Sequence, residues 1–313
     1  MDLVVGAIQM ESKNHDVEGN LRRALPLVEE AAEKGATLIC LPEFLPSGYV
    51  FHERMWDAAE RSAGPTTRWL AEQAKRLHVT LGTSFLEARE GGFRNVFVLT
   101  GPDGEYGRVG KEEVAQYENW FTEGDPGPHV IQTPFARVGV GICYENLRSF
   151  LSPKLVEHDA DILLQPHCCP VLPGVLPTRV RRIFEEEVRH VAEKYARGLG
   201  LPVVFVNQCG FLDTPTPMFP FLHLRVPFLG HTNIVDSDGT MLGQAGSEPA
   251  VVVRQVNLDP QRKTHRALPA RGKWVAQMPT PFLRIMEFID DRGKATYARN
   301  PRRAVAARRM LGQ

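Results

Sequence analysis

Short apolar runs alternate along this chain with stretches whose apolar residues recur every three or four positions. Leu3 to Ile8 is one such run, and Leu21, Leu25, Val28 and Ala32 then follow at helical spacing. Gly35 stands where that helix should stop. Pro26 falls inside the pattern and predicts a kink or a later helix start. Thr37 to Leu41 reads as a buried strand closed by Pro42. Thr66 to Leu77 reads as a helix, and Val79 to Phe85 and Val96 to Thr100 read as strands. The second of these ends at Gly101-Pro102-Asp103-Gly104, a strong turn signal.

The second half repeats the alternation. Val138 to Ile142 predicts a strand, Leu147 to Val156 a helix, and Asp161 to Leu164 a strand. Arg179 to Arg197 predicts one long charged helix. Strands follow at Pro202 to Val206, Ile234-Val235 and Val251 to Val256. Such alternation predicts an α/β protein with largely parallel sheets. There is no linker that would split it and no internal repeat.

Composition narrows the function classes. The chain has 313 residues, 43% of them hydrophobic, enough for a sizeable core. Lys and Arg total 37 and so do Asp and Glu, so the formal charge is zero. That argues against disorder and against a general nucleic-acid binder. No apolar run reaches the ~18 residues of a membrane span. The amino terminus, with Asp2 and no basic stretch, does not read as a secretory signal. Five dispersed cysteines without a CxxC pair suit reduced thiols in a cytoplasmic protein. Arg292 to Gln313 carries seven basic and no acidic residues, and reads as a solvated terminal helix packed on a partner subunit.

Familiar motifs are absent. Gly82 to Leu86 fails as a serine-hydrolase elbow, and Gly104 to Lys111 fails as a phosphate-binding loop. His167, Cys168 and Cys169 are adjacent, which suits no tetrahedral metal, so no metal site is expected there.

Three places put a reactive side chain beside an apolar strand, where α/β sheets bind ligands. Glu43 follows the strand in Leu41-Pro42-Glu43-Phe44, with Tyr49 further on. Partial burial would raise its pKa and make it a better base, although the stretch alone fits a surface glutamate equally well. Cys143 ends Gly139-Val140-Gly141-Ile142-Cys143-Tyr144-Glu145-Asn146. A strand-to-helix turn there would lower the thiol pKa and offer backbone oxyanion donors. By itself that stretch reads first as a buried structural cysteine. Lys111 precedes Glu118, Trp120, Phe121, Gly124 and Asp125. It could hold a developing negative charge, or be an ordinary surface lysine.

The order Glu, Lys, Glu, Cys, each in its own context, resembles the nitrilase, or carbon–nitrogen hydrolase, superfamily. The likeness runs over about residues 3 to 260. It includes Val203 to Gly210, an apolar strand ending in Asn207, and Gly230 to Gly239, with Thr232 where the family has Ser. Leu147-Arg148-Ser149-Phe150 departs from the family's Phe-Pro-Glu. The resemblance implies a four-layer α-β-β-α sandwich over residues 1–265, with residues 266–313 as a C-terminal extension for subunit contact. It also implies a homodimer or larger homo-oligomer, and a reaction that requires no metal or organic cofactor.

Carried over residue by residue, Cys143 is the nucleophile, Glu43 the base, Lys111 an oxyanion donor with the Tyr144 N–H, and Glu118 an orienting carboxylate. Tyr49, Tyr144 and His167 are assigned to substrate binding, and Cys168 and Cys169 to packing. The implied substrate is a small amide, a carbamoyl compound or a nitrile, with amides ranked first. A catalytically silent binding subunit is the reading from another class. Phe211 to Leu229, with Phe211, Phe219, Phe221 and Phe228, fits a pocket wall, a subunit contact or a surface loop.

Overall fold

The first half of the chain forms β1 (Asp2–Gln9), α1 (Val17–Glu33), β2 (Leu38–Cys40), α2 (Pro65–Leu77), β3 (Thr80–Arg89), β4 (Gly92–Gly101) and β5 (Gly104–Gly110). The second half forms β6 (Val130–Gln132), β7 (Arg137–Val140), α3 (Leu151–Glu157), β8 (Ile162–Pro166), α4 (Thr178–Arg189), α5 (Val191–Leu199) and β9 (Val203–Val206). It continues through β10 (Phe211–Pro215), β11 (His223–Pro227), β12 (Asn233–Val235), β13 (Met241–Gln244) and β14 (Ala250–Asn257). Helices α6 (Thr280–Arg299) and α7 (Arg302–Leu311) complete it. This computed structural model describes residues 1–217 and 221–313.

Two six-stranded sheets result, in the orders β14-β1-β2-β3-β4-β5 and β13-β12-β9-β8-β7-β6. Both are mixed rather than largely parallel. Only β1-β2-β3 and β7-β8-β9 pair in parallel; the flanking strands are antiparallel. The cause is connection length. Tight turns join β3 to β4 and β4 to β5, and a tight turn can join only antiparallel neighbours.

Alternation then sorts the side chains. Val5, Ala7, Phe97 and Leu99 of the first sheet meet Val138, Val140, Leu164 and Val204 of the second. Residues of opposite parity face the helices. Ile39, Leu81 and Val98 pack under Leu21, Ala24 and Val28 of α1. Leu163, Val203 and Phe205 pack under Leu155 of α3 and Tyr195 and Leu199 of α5. The layers are therefore α-β-β-α.

Three predicted elements are corrected. Helix α1 starts at Val17, capped by Asp16 through the Gly19 N–H, and runs on through Pro26. Pro26 lies on its exposed side, where water can satisfy the carbonyl that loses its partner. The predicted helix at Leu147 begins instead at Leu151, because Cys143–Leu147 forms a 3₁₀ turn. The long helix breaks at His190 into α4 and α5. The break lets Phe184 and Val188 line a cavity while Tyr195 and Leu199 lie on the sheet.

Within the span from 211 to 229, β10 and β11 pair antiparallel. Phe228 is buried, Phe211 and Phe221 are exposed, and Phe219 lies outside the described residues. The extension after β14 packs on its own chain. Phe282, Leu283 and Met286 join the core beside Tyr144, and the Tyr297 hydroxyl accepts the Phe93 N–H at 2.8 Å. Two of the tail's basic residues pair with acidic side chains, Arg302 with Glu53 and Arg303 with Glu123. Among the described residues no helix is long and apolar enough to cross a membrane.

Candidate active site

The ends of two strands and a 3₁₀ turn converge on one fully buried cluster. Glu43 lies just beyond β2 and Lys111 just beyond β5, while Glu118 sits on a 3₁₀ turn, Gln116–Trp120. None of the three is exposed to solvent. The Lys111 ammonium donates to Glu43 Oε1 at 2.7 Å and also to Glu118 Oε2. Asn95, on β4, donates its amide to both carboxylates, at 2.8 Å to Glu43 and 2.9 Å to Glu118. The other Glu43 oxygen accepts the Cys168 N–H at 3.0 Å and the Cys168 thiol at 2.8 Å.

Cys143 starts the 3₁₀ turn after β7, with φ of 52°. Such a left-handed backbone is uncommon for a non-glycine residue and is held here by its neighbours. Glu145 Oε2 accepts the Ile142 N–H at 2.8 Å, and its Oε1 accepts the Glu112 N–H at 2.7 Å. One carboxylate thus ties the cysteine's turn to the loop that carries Lys111. The Asn146 amide donates to the carbonyls of Gly141 and Cys143. Gly141 must be glycine, since a Cβ there would come within 2.4 Å of the Asn146 oxygen.

Two carboxylates sharing one ammonium leave an excess of negative charge. Burial, followed by the charge on Cys143, raises the Glu43 pKa well above the ordinary range, against the pull of Lys111. Burial also raises Glu118. For Lys111 burial works against the charge, but Glu118 and Glu43 outweigh it and keep the ammonium charged. The Cys143 thiol moves the other way. Hydrogen bonds from Cys168 and Cys169 hold it well below its usual value, and His167 and Lys111 add to the effect. A carboxyl group with raised proton affinity therefore lies beside a thiol whose proton is more readily lost.

Cys143 forms part of the floor of a cavity of about 360 Å³. Tyr49, Tyr144 and His167 line it, together with Cys168 and Cys169. Its walls come from the segment after β8 (Val171, Leu172, Leu176), from α4 (Phe184) and from α6 (Phe282, Met286). Among the described lining residues none is Asp, Glu, Lys or Arg. Tyr49 stacks on Phe44 with ring centroids 5.5 Å apart. The Tyr144 hydroxyl donates to Asp290 of α6 at 2.8 Å. His167 Nδ1 bonds the Gln165 carbonyl at 2.8 Å, and burial lowers its pKa, favouring the neutral ring.

All seven sequence-assigned residues thus meet at one place. Cys168 and Cys169 are corrected: they line the cavity together with Cys143, rather than serving only as packing. Asn95 and Glu145 escaped the sequence reading. A polar Asn95 directly ahead of the apolar run Val96 to Leu99, and a glutamate directly after Cys143-Tyr144, were the available signals.

Two facing mixed sheets with helices outside also build a carbon–nitrogen hydrolase from Helicobacter pylori G27, at a TM-score of 0.74 and 20% identity. That likeness covers 82% of this chain and 90% of that one, and it places the fold in the α-β-β-α class. The chain belongs to the carbon-nitrogen hydrolase family, whose model matches residues 4–266. Relatives include an N-carbamoylputrescine amidase of Arabidopsis thaliana, 27% identical over 82% of this chain and 87% of that protein. Another is omega-amidase NIT2 of Xenopus tropicalis, 28% identical over 80% and 88%. The protein is a cysteine-dependent enzyme that hydrolyses non-peptide carbon–nitrogen bonds of small molecules.

Proposed function

We propose that this hydrolase is an amidase for uncharged amides with an apolar acyl group, and that Cys143 is its nucleophile. Glu43 takes the thiol proton as sulfur attacks the amide carbon. The Lys111 ammonium, with the Tyr144 N–H, holds the tetrahedral oxyanion. Glu43 returns the proton to the leaving ammonia, and a thioester to Cys143 remains. Water, activated by Glu43, then releases the acid. Glu118 and Asn95 keep Lys111 and Glu43 aligned.

One observation carries this reading: a buried two-carboxylate, one-ammonium cluster lies beside Cys143 at the floor of an uncharged cavity. The cluster supplies a base and an oxyanion partner for acyl transfer. The cavity decides the substrate. N-carbamoylputrescine, named in the Arabidopsis relative, ends in an amine that is cationic at neutral pH. No wall carboxylate is present among the described residues to pair with it, and an unpaired buried charge costs several kcal/mol. An alkyl or aryl group meets only apolar walls.

Val175, Ile285 and Phe288 are exposed, Val175 and Ile285 on the cavity wall itself. That exposure suits contact with a second copy, so the proposal includes a homo-oligomer. The unpaired cysteines suit a reducing, cytoplasmic setting.

The test is ammonia release from straight-chain amides of increasing length, benzamide, N-carbamoylputrescine and the matching nitriles, with Cys143→Ala as control. kcat/KM should climb about fourfold for each buried methylene, from ~0.8 kcal/mol apiece. N-carbamoylputrescine should rank below the neutral amides, and the control should be inactive. Preference for the cationic substrate would sink the apolar reading, and preference for nitriles would make the enzyme a nitrilase.

A further inference from the structure

Three of the five cysteines stand together at the cavity floor. Cys143 is partly exposed, while Cys168 and Cys169 are buried but line the same space. Both lie close enough to the Cys143 sulfur for the three groups to interact electrostatically. Cys168 is also placed against a base, with its Sγ 2.8 Å from Glu43 Oε2. Hydrolysis needs one thiol. A second one, bonded to the base, carries no acyl group in that reaction.

We propose that Cys143 and Cys168 form a reversible disulfide when the enzyme meets hydrogen peroxide, which makes the site an oxidation-sensitive one. This rests on the cluster's geometry and only borrows Cys143 from the catalytic reading. The cavity admits so small an oxidant. The Cys143 thiolate attacks one peroxide oxygen; the O–O bond breaks, two electrons pass from sulfur, and a sulfenic acid and hydroxide form. Glu43 takes the Cys168 proton, and the Cys168 sulfur attacks the Cys143 sulfur. The S–S bond forms as the S–O bond breaks, and the hydroxyl group leaves as water with that proton. In sum, two thiols and one peroxide give one disulfide and two waters.

Cys168 is assigned as the resolving thiol because it alone of the two also hydrogen-bonds Glu43. A base within hydrogen-bond reach can take the Cys168 proton as its sulfur attacks, which favours that thiol over Cys169. A Cys168–Cys169 bridge would have to close between adjacent residues and would leave Cys143 free to oxidise further. The disulfide would instead block the nucleophile until a thiol reductant restores it.

The experiment exposes the full-length protein to hydrogen peroxide, blocks free thiols, digests with trypsin without reduction, and weighs the peptides. Residues 138–148 carry Cys143, and residues 155–179 carry Cys168 and Cys169. A linked pair of these peptides is expected, with two of the five thiols consumed and amide hydrolysis regained on adding dithiothreitol. Cys168→Ser should abolish the link, and Cys169→Ser should keep it. In Cys168→Ser, Cys143 should gain two or three oxygens and not recover.

Wild-type Cys143 carried to those higher oxides without a linked peptide would overturn the proposal. So would a bridge confined to residues 155–179, or a link that persists in Cys168→Ser. The peptide masses do not depend on turnover, so the result stands apart from the amidase proposal. Failure of the amide panel would leave the linked peptide intact.

Discussion

Lys111 Nζ lies 2.7 Å from Glu43 Oε1, and neither side chain has any exposed surface. A buried ion pair of this kind is costly to break, because the surviving charge keeps its desolvation penalty. Here the survivor would be doubled, since Glu118 leans on the same ammonium. Lys111→Met should therefore lower stability by about 3–5 kcal/mol in urea unfolding. Turnover should fall by at least ~10²–10³, the usual loss for one oxyanion donor. Glu118→Gln leaves one carboxylate with one ammonium and should unfold near the wild-type midpoint. Equal destabilisation by both changes would contradict the shared-ammonium account.

Asn95 is expected to act by positioning. Its amide bridges Glu43 and Glu118 with two charge-assisted hydrogen bonds. Losing bonds to charged partners costs ~1.5–3 kcal/mol, which corresponds to a tenfold to hundredfold change. Asn95→Ala should lower kcat by that factor and leave KM nearly unchanged, since Asn95 does not line the cavity. Steady-state kinetics on one amide separates the two. A rise in KM at constant kcat would mean that Asn95 serves binding instead.

Much of this architecture could be read in advance where the signal is local. The strand ends that present Glu43 and Cys143 follow apolar runs bounded by Pro42 and Gly141, and the helices follow their period. Pairing direction was not legible, because it depends on which strands a turn of given length can join. The helix break at His190 was hidden too, since the charged pattern continues across it. The resemblance to a family supplied the catalytic order. It could not supply Asn95 or Glu145, each of which has partners 23 to 52 residues away in sequence. Nor could the apolar walls be foreseen, since they combine α4, the segment after β8 and α6.

A single wall change should redirect specificity. Leu172 is half-buried, lines the cavity and belongs to no helix or strand, so Leu172→Asp is tolerable to the fold. It adds the carboxylate that the described walls lack. The ratio of kcat/KM for 6-aminohexanamide over hexanamide should rise by at least about tenfold, given ~1.5–3 kcal/mol for a charged hydrogen bond. An unchanged ratio would place the acyl chain elsewhere.

Asp290 links α6 to the residue after Cys143. Its Oδ2 accepts the Tyr144 hydroxyl at 2.8 Å, and the Asn119 amide lies 3.4 Å from Oδ1. Burial raises its pKa from 3.8 to about 6, against the Tyr144 hydrogen bond. The folded state therefore holds the proton more tightly than the unfolded state. That contribution to stability is fully present below pH 3.8 and is lost as the pH rises through about 6. A shift of this size amounts to on the order of 2–3 kcal/mol. Asp290→Asn keeps an acceptor for Tyr144 without the charge, so it escapes the loss. Its stability relative to wild type should increase between pH 4.5 and 6.5 and level off above pH 7, as read by urea unfolding at each pH. Subtracting the two proteins cancels every other titrating group. A difference that stays flat with pH would mean that Asp290 is already solvated in the fold, and that α6 is held by its apolar residues Phe282, Leu283 and Met286 alone.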